Sequence, residues 1–248
     1  MNRNQSSSGL VSAWMAGLLS GLGICAIILA GAFASRSTVW AQGGMPQGGP
    51  PPGQMGGPPG GRRPQAPPKP FPLTLTLTDG STASYRVREQ LAGIDFPSDA
   101  VGTSDALTGT IALDKDGSID SSQSKLTFDL RTLKSDQPMR DGFIQKRTLE
   151  TDTYPTAVFV PKSIKGMPNP LNGQFGFELT GDMTIHGVTA PVTWQGIATV
   201  DNNTGLVAGR AQTHFKFETF GLAVPQLARL LSVNDDIGLE IEVRFKIS

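Results

Sequence analysis

Residues 175–200 of this chain read FGFELTGDMTIHGVTAPVTWQGIATV. Apolar and polar side chains alternate on both sides of the pair His186-Gly187. A period of two is typical of β-strands with one buried face, and a short junction containing glycine is typical of a hairpin turn. The stretch therefore predicts a long β-hairpin that turns at His186-Gly187. Gly181 falls on the apolar face of the first arm, where a glycine indicates a bulge or a bend.

The same alternation recurs through most of residues 73–248, in segments separated by turn sequences. The alternating segments are 73–77, 107–113, 126–130, 213–217 and 237–247. Asp79-Gly80 is predicted to be a hairpin turn after the first strand, and Asp114 to Gly117 and Asn202 to Gly205 are predicted turns as well. No long crossover helix interrupts the series. The pattern predicts an all-β fold, an up-and-down antiparallel β-barrel of about eight strands.

Two segments have helical rather than strand-like spacing. Met139 and Phe143 fit a short amphipathic helix over residues 139–149, and a proline followed by three leucines predicts another over residues 225–231. We expect one or two short helices to cap an end of the barrel.

The first 41 residues differ in kind from the rest of the chain. An uncharged, mostly apolar run from Leu10 to Ala34 is flanked by Arg3 and Arg36. Its length is nearer the ~20 residues of a membrane-spanning helix than the ~7–15 of a cleavable signal. Small-residue sites at 32–34 and 39–41 leave cleavage open. Either reading predicts an extracytoplasmic domain, periplasmic or at the cell surface, that is membrane-anchored or secreted.

Residues 42–72 are mostly glycine and proline, with little to bury. Such a composition predicts a disordered linker between the N-terminal segment and a domain at 73–248. The single cysteine, Cys25, lies in the apolar run, so the predicted domain contains no cysteine for a disulfide.

Charge and motifs argue against several classes of function. Basic and acidic side chains balance at 21 each, so no basic surface indicates a nucleic-acid partner. The motifs GxSxG, HExxH and CxxC are absent from the sequence. Their absence leaves no recognised nucleophile or zinc site, and we predict neither catalysis, nor a metal, nor a cofactor.

Several motifs, in order, resemble one known family. LTGDMTIHGVTAPV at 179–192 resembles the signature hairpin of the YceI-like, polyisoprenoid-binding proteins, and Arg140-Asp141 resembles their RD motif. Similar segments are LETDTYPTAVF at 149–159, FETFGL at 217–222 and VNDDI at 233–237. Residues 143–149 depart from the family, which has a histidine and paired phenylalanines there. The resemblance implies a lipocalin-like barrel that holds an isoprenoid or similar amphiphile, with a quinone as one candidate.

An inward-facing apolar row is the candidate lining of the barrel. Its members are Phe128, Leu130, Phe175, Phe177, Leu179, Met183, Phe215, Phe217, Leu239 and Ile241. Alternation alone cannot separate a ligand lining from ordinary core, because both require inward apolar side chains. Without the resemblance, ordinary core is the favoured reading.

Arg140 is the candidate polar residue of the site. If the 139–149 helix caps the barrel mouth, its guanidinium suits a lipid headgroup or a pyrophosphate. The alternative is that Arg140 and Asp141 satisfy neighbouring groups and fix the loop.

Two functions of different class remain. The first is an exported lipid-binding protein that holds an amphiphilic chain without catalysis and meets the membrane through its N-terminal segment. The second is a structural or adhesive surface module with a filled barrel. A homodimer is compatible with either.

Overall fold

The computed structural model describes residues 66–226 and 228–248. The apolar run at 10–34 and most of the predicted linker lie outside the described residues. The signal or anchor at 1–41 and the linker at 42–72 therefore stay predictions. Among the described residues, no helix is long and apolar enough to cross a membrane.

Eleven strands form one antiparallel sheet that closes on itself. Along the sheet their order is β1-β4-β5-β7-β8-β9-β10-β11-β2-β3-β6, and β1 also pairs with β11. The strands are β1 Leu73–Leu77, β2 Thr82–Leu91, β3 Ser98–Ser104, β4 Leu107–Leu113, β5 Ile119–Asp129, β6 Lys134–Ser135, β7 Thr156–Lys165, β8 Gly173–Ile185, β9 Val188–Asp201, β10 Leu206–Phe215 and β11 Leu230–Ile247.

The eleven strands occupy eight positions around the barrel, because at three positions two strands lie end to end. One edge of β11 pairs first with β2, where Ile237 faces Val87, and then with β1, where Phe245 faces Leu77. The outer edges of β2 and β1 pair in the same way with β3 and β4, and β6 extends the wall beyond β5. The result is a closed antiparallel barrel of eight wall positions in up-and-down order, which confirms the predicted fold class.

The predicted hairpin turn at Asp79-Gly80 is wrong. Because β1 and β2 run in the same direction along β11, the segment between them is a bulge in one wall strand. Ser81 keeps the ladder connected, since Arg244 N donates to Ser81 Oγ at 2.9 Å and Thr78 N donates to Arg244 O at 2.9 Å. An Asp-Gly pair suits either role, because Gly80 has a positive φ of 82°.

The predicted central hairpin is confirmed. Ile185 of β8 pairs with Val188 of β9, and the two turn residues, His186 and Gly187, have φ values of 51° and 75°. Positive φ at both positions is the turn geometry that matches the twist of a hairpin. The predicted irregularity at Gly181 is also present, because the register of β7 shifts opposite this residue, between Pro161 and Ser163.

One of the two predicted helices forms. Helix α1, Pro138–Phe143, continues into a turn of π-helix at Ile144–Thr148. The prediction over residues 225–231 is wrong: the residues described between Pro225 and Arg229 are not helical, and β11 begins at Leu230. Pairing with β2 overrides the leucine spacing there, since Ala92 N donates to Arg229 O at 2.8 Å. A short 3-10 helix lies earlier, at Phe217–Phe220.

The barrel has two distinct ends. Helix α1, the β8–β9 turn and the loop between β2 and β3 lie at one, which we call the cap end. The turns at 114–118 and 202–205 lie at the opposite end, where Ala66 N donates to Asn203 Oδ1 at 2.9 Å. Pro59–Ser248 forms one compact unit that contains the closed sheet and its apolar core. A fragment with these bounds has what an independently folding domain requires.

Candidate ligand-binding cavity

The cap half of the barrel encloses a cavity of about 580 Å³. Its wall is formed largely by aliphatic and aromatic side chains from both the sheet and the cap. This size falls within the roughly 300–1,000 Å³ that is usual for small-molecule sites. A second hollow, of about 70 Å³, lies in the other half and is lined only by apolar side chains and a glycine.

The structure divides the predicted site residues, the apolar row and Arg140, between the two halves. Eight of them line the large cavity: Phe128, Leu130, Arg140, Met183, Phe215, Phe217, Leu239 and Ile241. Phe175, Phe177 and Leu179 do not, and line only the small hollow. The reason is the length of β8, because its early residues belong to the opposite half and only its last residues reach the cap half. The prediction placed the whole apolar row in one space.

The cap half is hollow partly because small side chains stand at inward positions. Ala83, Ala100 and Ala157 line the cavity from three different strands. In the other half, large side chains such as Phe159 fill the bore, and Phe159 is only 1% exposed. A barrel with eight strands is just wide enough to be filled or to hold one slender ligand, and here the two halves differ.

Trp194 stands between the two hollows. It lines both of them, is 2% exposed, and packs edge-to-face on Phe159 with ring centroids 6.3 Å apart. Its indole Nε1 is buried without a hydrogen-bond partner among the described residues. A buried donor without a partner is unusual in a native structure and requires an explanation. Trp194 lies in the predicted hairpin at 175–200, and the alternation there indicated a strand position without a separate role.

Sequence reasoning also missed the contribution of β2. Tyr85, Val87 and Glu89 continue the inward parity of Ala83, and all four residues line the cavity. Because these are alternate residues of one strand, the period-two pattern could have placed all of them on the inward face. Glu89 was easy to overlook because a carboxylate rarely occupies an inward position unless it is paired.

Arg140 supplies the partner of Glu89. Arg140 Nη2 donates to Glu89 Oε1 at 2.7 Å, and the two side chains are only 14% and 10% exposed. Nη1 of the same guanidinium bonds to Asp136, which is exposed. The positive charge at the wall of the cavity is therefore balanced by neighbouring carboxylates.

Asp141 has a different role from Arg140. Its Oδ1 accepts from Ser135 N at 2.8 Å and from Ser135 Oγ at 2.6 Å. These bonds fix the loop before α1, as the second reading of the Arg-Asp pair expected. Arg140 instead joins the cap to the wall and faces the cavity.

Tyr85 lies beside this ionic cluster. Burial raises the pKa of its phenol to about 12, because the phenolate is disfavoured away from water, and the nearby charge of Arg140 opposes this shift only in part. The hydroxyl therefore remains protonated at neutral pH and is available as a neutral donor.

The cavity opens at the cap end. Met139 of α1 and Ile94 of the loop after β2 both line the cavity, yet they are 90% and 49% exposed. Side chains that belong to both the lining and the surface mark the mouth. The opening between α1 and this loop connects the cavity with solvent.

The two histidines lie away from the cavity. His186 sits in the β8–β9 turn, with Nε2 3.3 Å from Glu150 Oε2 and its ring 4.6 Å from that of Tyr154. His214 is exposed on β10, 3.3 Å from Asp236. In the described ranges, no group of three or more histidine, cysteine or acidic residues is arranged to hold a metal.

A family model, the YceI-like domain, matches residues 77–245. The chain belongs to the YceI-like family. The match covers nearly the whole barrel, including the cavity walls, the cap and the Arg140 cluster. It confirms the resemblance that the motifs indicated.

Individual relatives of this YceI-like chain were found among sequences and structures. A UPF0312 protein of Pseudomonas putida is 40% identical over 75 residues, which is 29% of this chain and 36% of the relative. The chain thus matches about a third of the length of that relative. A polyisoprenoid binding domain from Saccharophagus degradans, implicated in plant cell wall breakdown, superposes with a TM-score of 0.54 at 14% identity, covering 71% of this chain and 99% of that domain. BcnA of Burkholderia cenocepacia gives a TM-score of 0.48 at 20% identity, covering 66% and 95%. The Saccharophagus degradans domain shares the fold.

Proposed function

We propose that this YceI-like protein binds an isoprenoid or a similar amphiphilic chain in the large cavity and carries it without catalysis. The observation behind the proposal is the hollow cap half, about 580 Å³ with a mainly apolar wall. Family membership supports the proposal, as does the structural likeness to a domain described as polyisoprenoid binding. The alternative of an adhesive module assumed a filled barrel, and the hollow cap half does not favour it.

Apolar burial is sufficient to hold such a ligand. Removing apolar surface from water contributes roughly 25 cal/mol per Å², so a few hundred Å² contributes several kcal/mol. Part of this gain is offset by the lost freedom of the ligand. A flexible hydrocarbon chain in this cavity therefore needs few polar contacts for useful affinity.

The polar wall favours an uncharged headgroup. Arg140 is already paired with Glu89 and Asp136, and Tyr85 remains neutral with its pKa near 12. A pyrophosphate would bring negative charge close to the carboxylate of Glu89, and like charges repel strongly where water is scarce. A quinone carbonyl or a prenol hydroxyl requires only neutral hydrogen bonds. We therefore favour a quinone or prenol over a phosphorylated prenyl chain.

We also propose that the protein is exported. Residues 1–41 would act as a signal or membrane anchor, and residues 42–72 as the tether to the barrel. The last described residues of this tether contact the barrel, since Lys69 Nζ donates to Ile247 O at 3.1 Å.

Tryptophan fluorescence offers a direct binding test. Of the three tryptophans at 14, 40 and 194, only Trp194 remains in the fragment Pro59–Ser248, and it lines the cavity. Titration with a prenylated quinone, a prenol and the matching pyrophosphate should change its emission saturably, with the pyrophosphate binding weakest. The control is Ala157→Phe, which places a ring in the cavity and should abolish the change. An unchanged emission with all three ligands would contradict the proposal.

A further inference from the structure

The most exposed apolar side chains of the described residues surround the cavity mouth. They are Ile94, Phe96, Met139 and Leu231, with exposed fractions of 49%, 78%, 90% and 66%. We call these four residues the mouth patch. Ile94 and Phe96 lie in one loop, and pairing of Leu230 with Leu91 brings Leu231 next to it. Large apolar side chains that are exposed together at one end of a domain mark an interaction site.

Basic residues accompany the mouth patch. Lys146 and Arg147 are exposed in the turn that follows α1, and Arg229 is exposed at the wall of the mouth. None of the three forms a salt bridge within the described part of the chain. Of the nearby carboxylates, Asp136 is bonded to Arg140, and Asp95 lies in the loop of Phe96. Apolar side chains flanked by unpaired cations are typical of surfaces that bind anionic membranes.

Within residues 66–226 and 228–248, the N-terminal residues lie at the end of the barrel opposite the mouth. Ala66 is bonded to Asn203 at the opposite end, so the described chain begins far from the mouth. A ligand that leaves the cavity through water exposes its hydrocarbon at roughly 25 cal/mol per Å². Contact between the mouth and a lipid phase avoids that exposure.

We propose that the mouth patch docks on an anionic lipid bilayer, where an amphiphile passes between the membrane and the cavity. The apolar side chains enter the headgroup region, and Lys146, Arg147 and Arg229 contact lipid phosphates. Passage of an amphiphile between membrane and cavity rests on the proposed function, but binding of the patch to a membrane is measured separately.

Vesicle flotation with the fragment Pro59–Ser248 tests the surface. The fragment is mixed with phosphatidylcholine vesicles that contain or lack phosphatidylglycerol. We expect flotation with the anionic vesicles, weakening as salt is added, since screening removes the attraction to headgroups. The apolar variant Phe96→Ser with Leu231→Ser should bind at least tenfold more weakly. The charge variant Lys146→Ala with Arg147→Ala should also lose roughly tenfold or more, and only on anionic vesicles.

The matched control removes exposed apolar side chains elsewhere. Ile197 and Leu206 are each 39% exposed on the wall, away from the mouth. The double variant Ile197→Ser with Leu206→Ser should float like the unmodified fragment. Equal loss in the control and the mouth variants overturns the proposal, and so does failure of the unmodified fragment to float. A dimer that depends on Phe96 and Leu231, without vesicle binding, also overturns it in favour of a second copy as the occupant.

Ligand binding is measured on the same samples. None of Phe96, Leu231, Lys146 or Arg147 lines the cavity, so Trp194 should report unchanged ligand affinity in both mouth variants. A fragment that binds ligand but not vesicles refutes docking and leaves the proposed function intact. A fragment that binds vesicles but no ligand refutes the proposed function and leaves docking intact.

Discussion

The guanidinium of Arg140 lies 2.7 Å from the carboxylate of Glu89, an ion pair that ties the cap helix to the second strand at the wall of the cavity. Both side chains are largely buried. A buried pair of this kind contributes little net stability over an apolar pair, but loss of one partner leaves the other charge uncompensated.

Arg140→Ala is therefore expected to lower the free energy of unfolding by roughly 3 kcal/mol. Urea unfolding of the fragment Pro59–Ser248 measures it. The control is Arg131→Ala, because the bond of Arg131 to Asp129 is at the surface, with the arginine side chain 61% exposed, and its loss should change the stability far less. Equal small losses in both variants would show that the Arg140 pair is not buried in solution. Glu89→Leu combined with Arg140→Met should recover most of the loss.

The raised pKa of Tyr85 predicts a specific alkaline instability. The folded protein holds the phenol proton more tightly than the unfolded chain, so Tyr85 contributes stability below pH 10 that is lost as the pH rises towards about 12. Urea midpoints should fall across this window, and they should fall less in Tyr85→Phe.

Absorbance titration checks the same pKa directly. The chain has only two tyrosines, at 85 and 154, so Tyr154→Phe leaves Tyr85 as the only phenol that titrates. Its midpoint should lie near pH 12, provided that the barrel remains folded by circular dichroism. A midpoint near 10 would show that the ring is exposed to water.

A side chain at position 181 should disturb the packing of β8 against β7. A Cβ at this residue would clash with Val160 O, next to the bulge of β7, whereas a Cβ at Gly176 of the same strand meets only Gly196 O at 3.8 Å. Gly181→Ala should lower the free energy of unfolding by about 1–3 kcal/mol. Gly176→Ala should be close to neutral. Similar values for the two variants would contradict the close approach of β7 and β8.

The period-two pattern was enough to predict several of the strands, the central hairpin and the all-β barrel class, because alternation is a local property of the sequence. The hairpin turn predicted at Asp79-Gly80 was wrong, because an Asp-Gly pair suits both a turn and a bulge. Only the distant pairing of β1 and β2 with β11 decides between them. The leucine spacing at 227–231 gave a wrong helix prediction for a related reason. Leu230 pairs with Leu91 of β2, and this distant partner is not visible in the local sequence.

The site was less predictable than the fold. Alternation identifies inward side chains but not how far along the bore they lie, which is why one lining was predicted although Phe175, Phe177 and Leu179 line the smaller hollow. The hollow itself depends on small residues that meet across the barrel, such as Ala100 and Ala157. Such complementarity is set by the three-dimensional register and is invisible in a single strand.

The central claim is that the cap half of the barrel holds a long amphiphilic chain. Organic extraction of the purified fragment Pro59–Ser248, followed by mass spectrometry, tests it most directly. We predict close to one equivalent of a long-chain, uncharged amphiphile in the fragment, and little or none in Ala157→Phe of equal stability. A fragment that carries no lipid and takes up none when it is offered, or a lipid content that Ala157→Phe leaves unchanged, would contradict the claim.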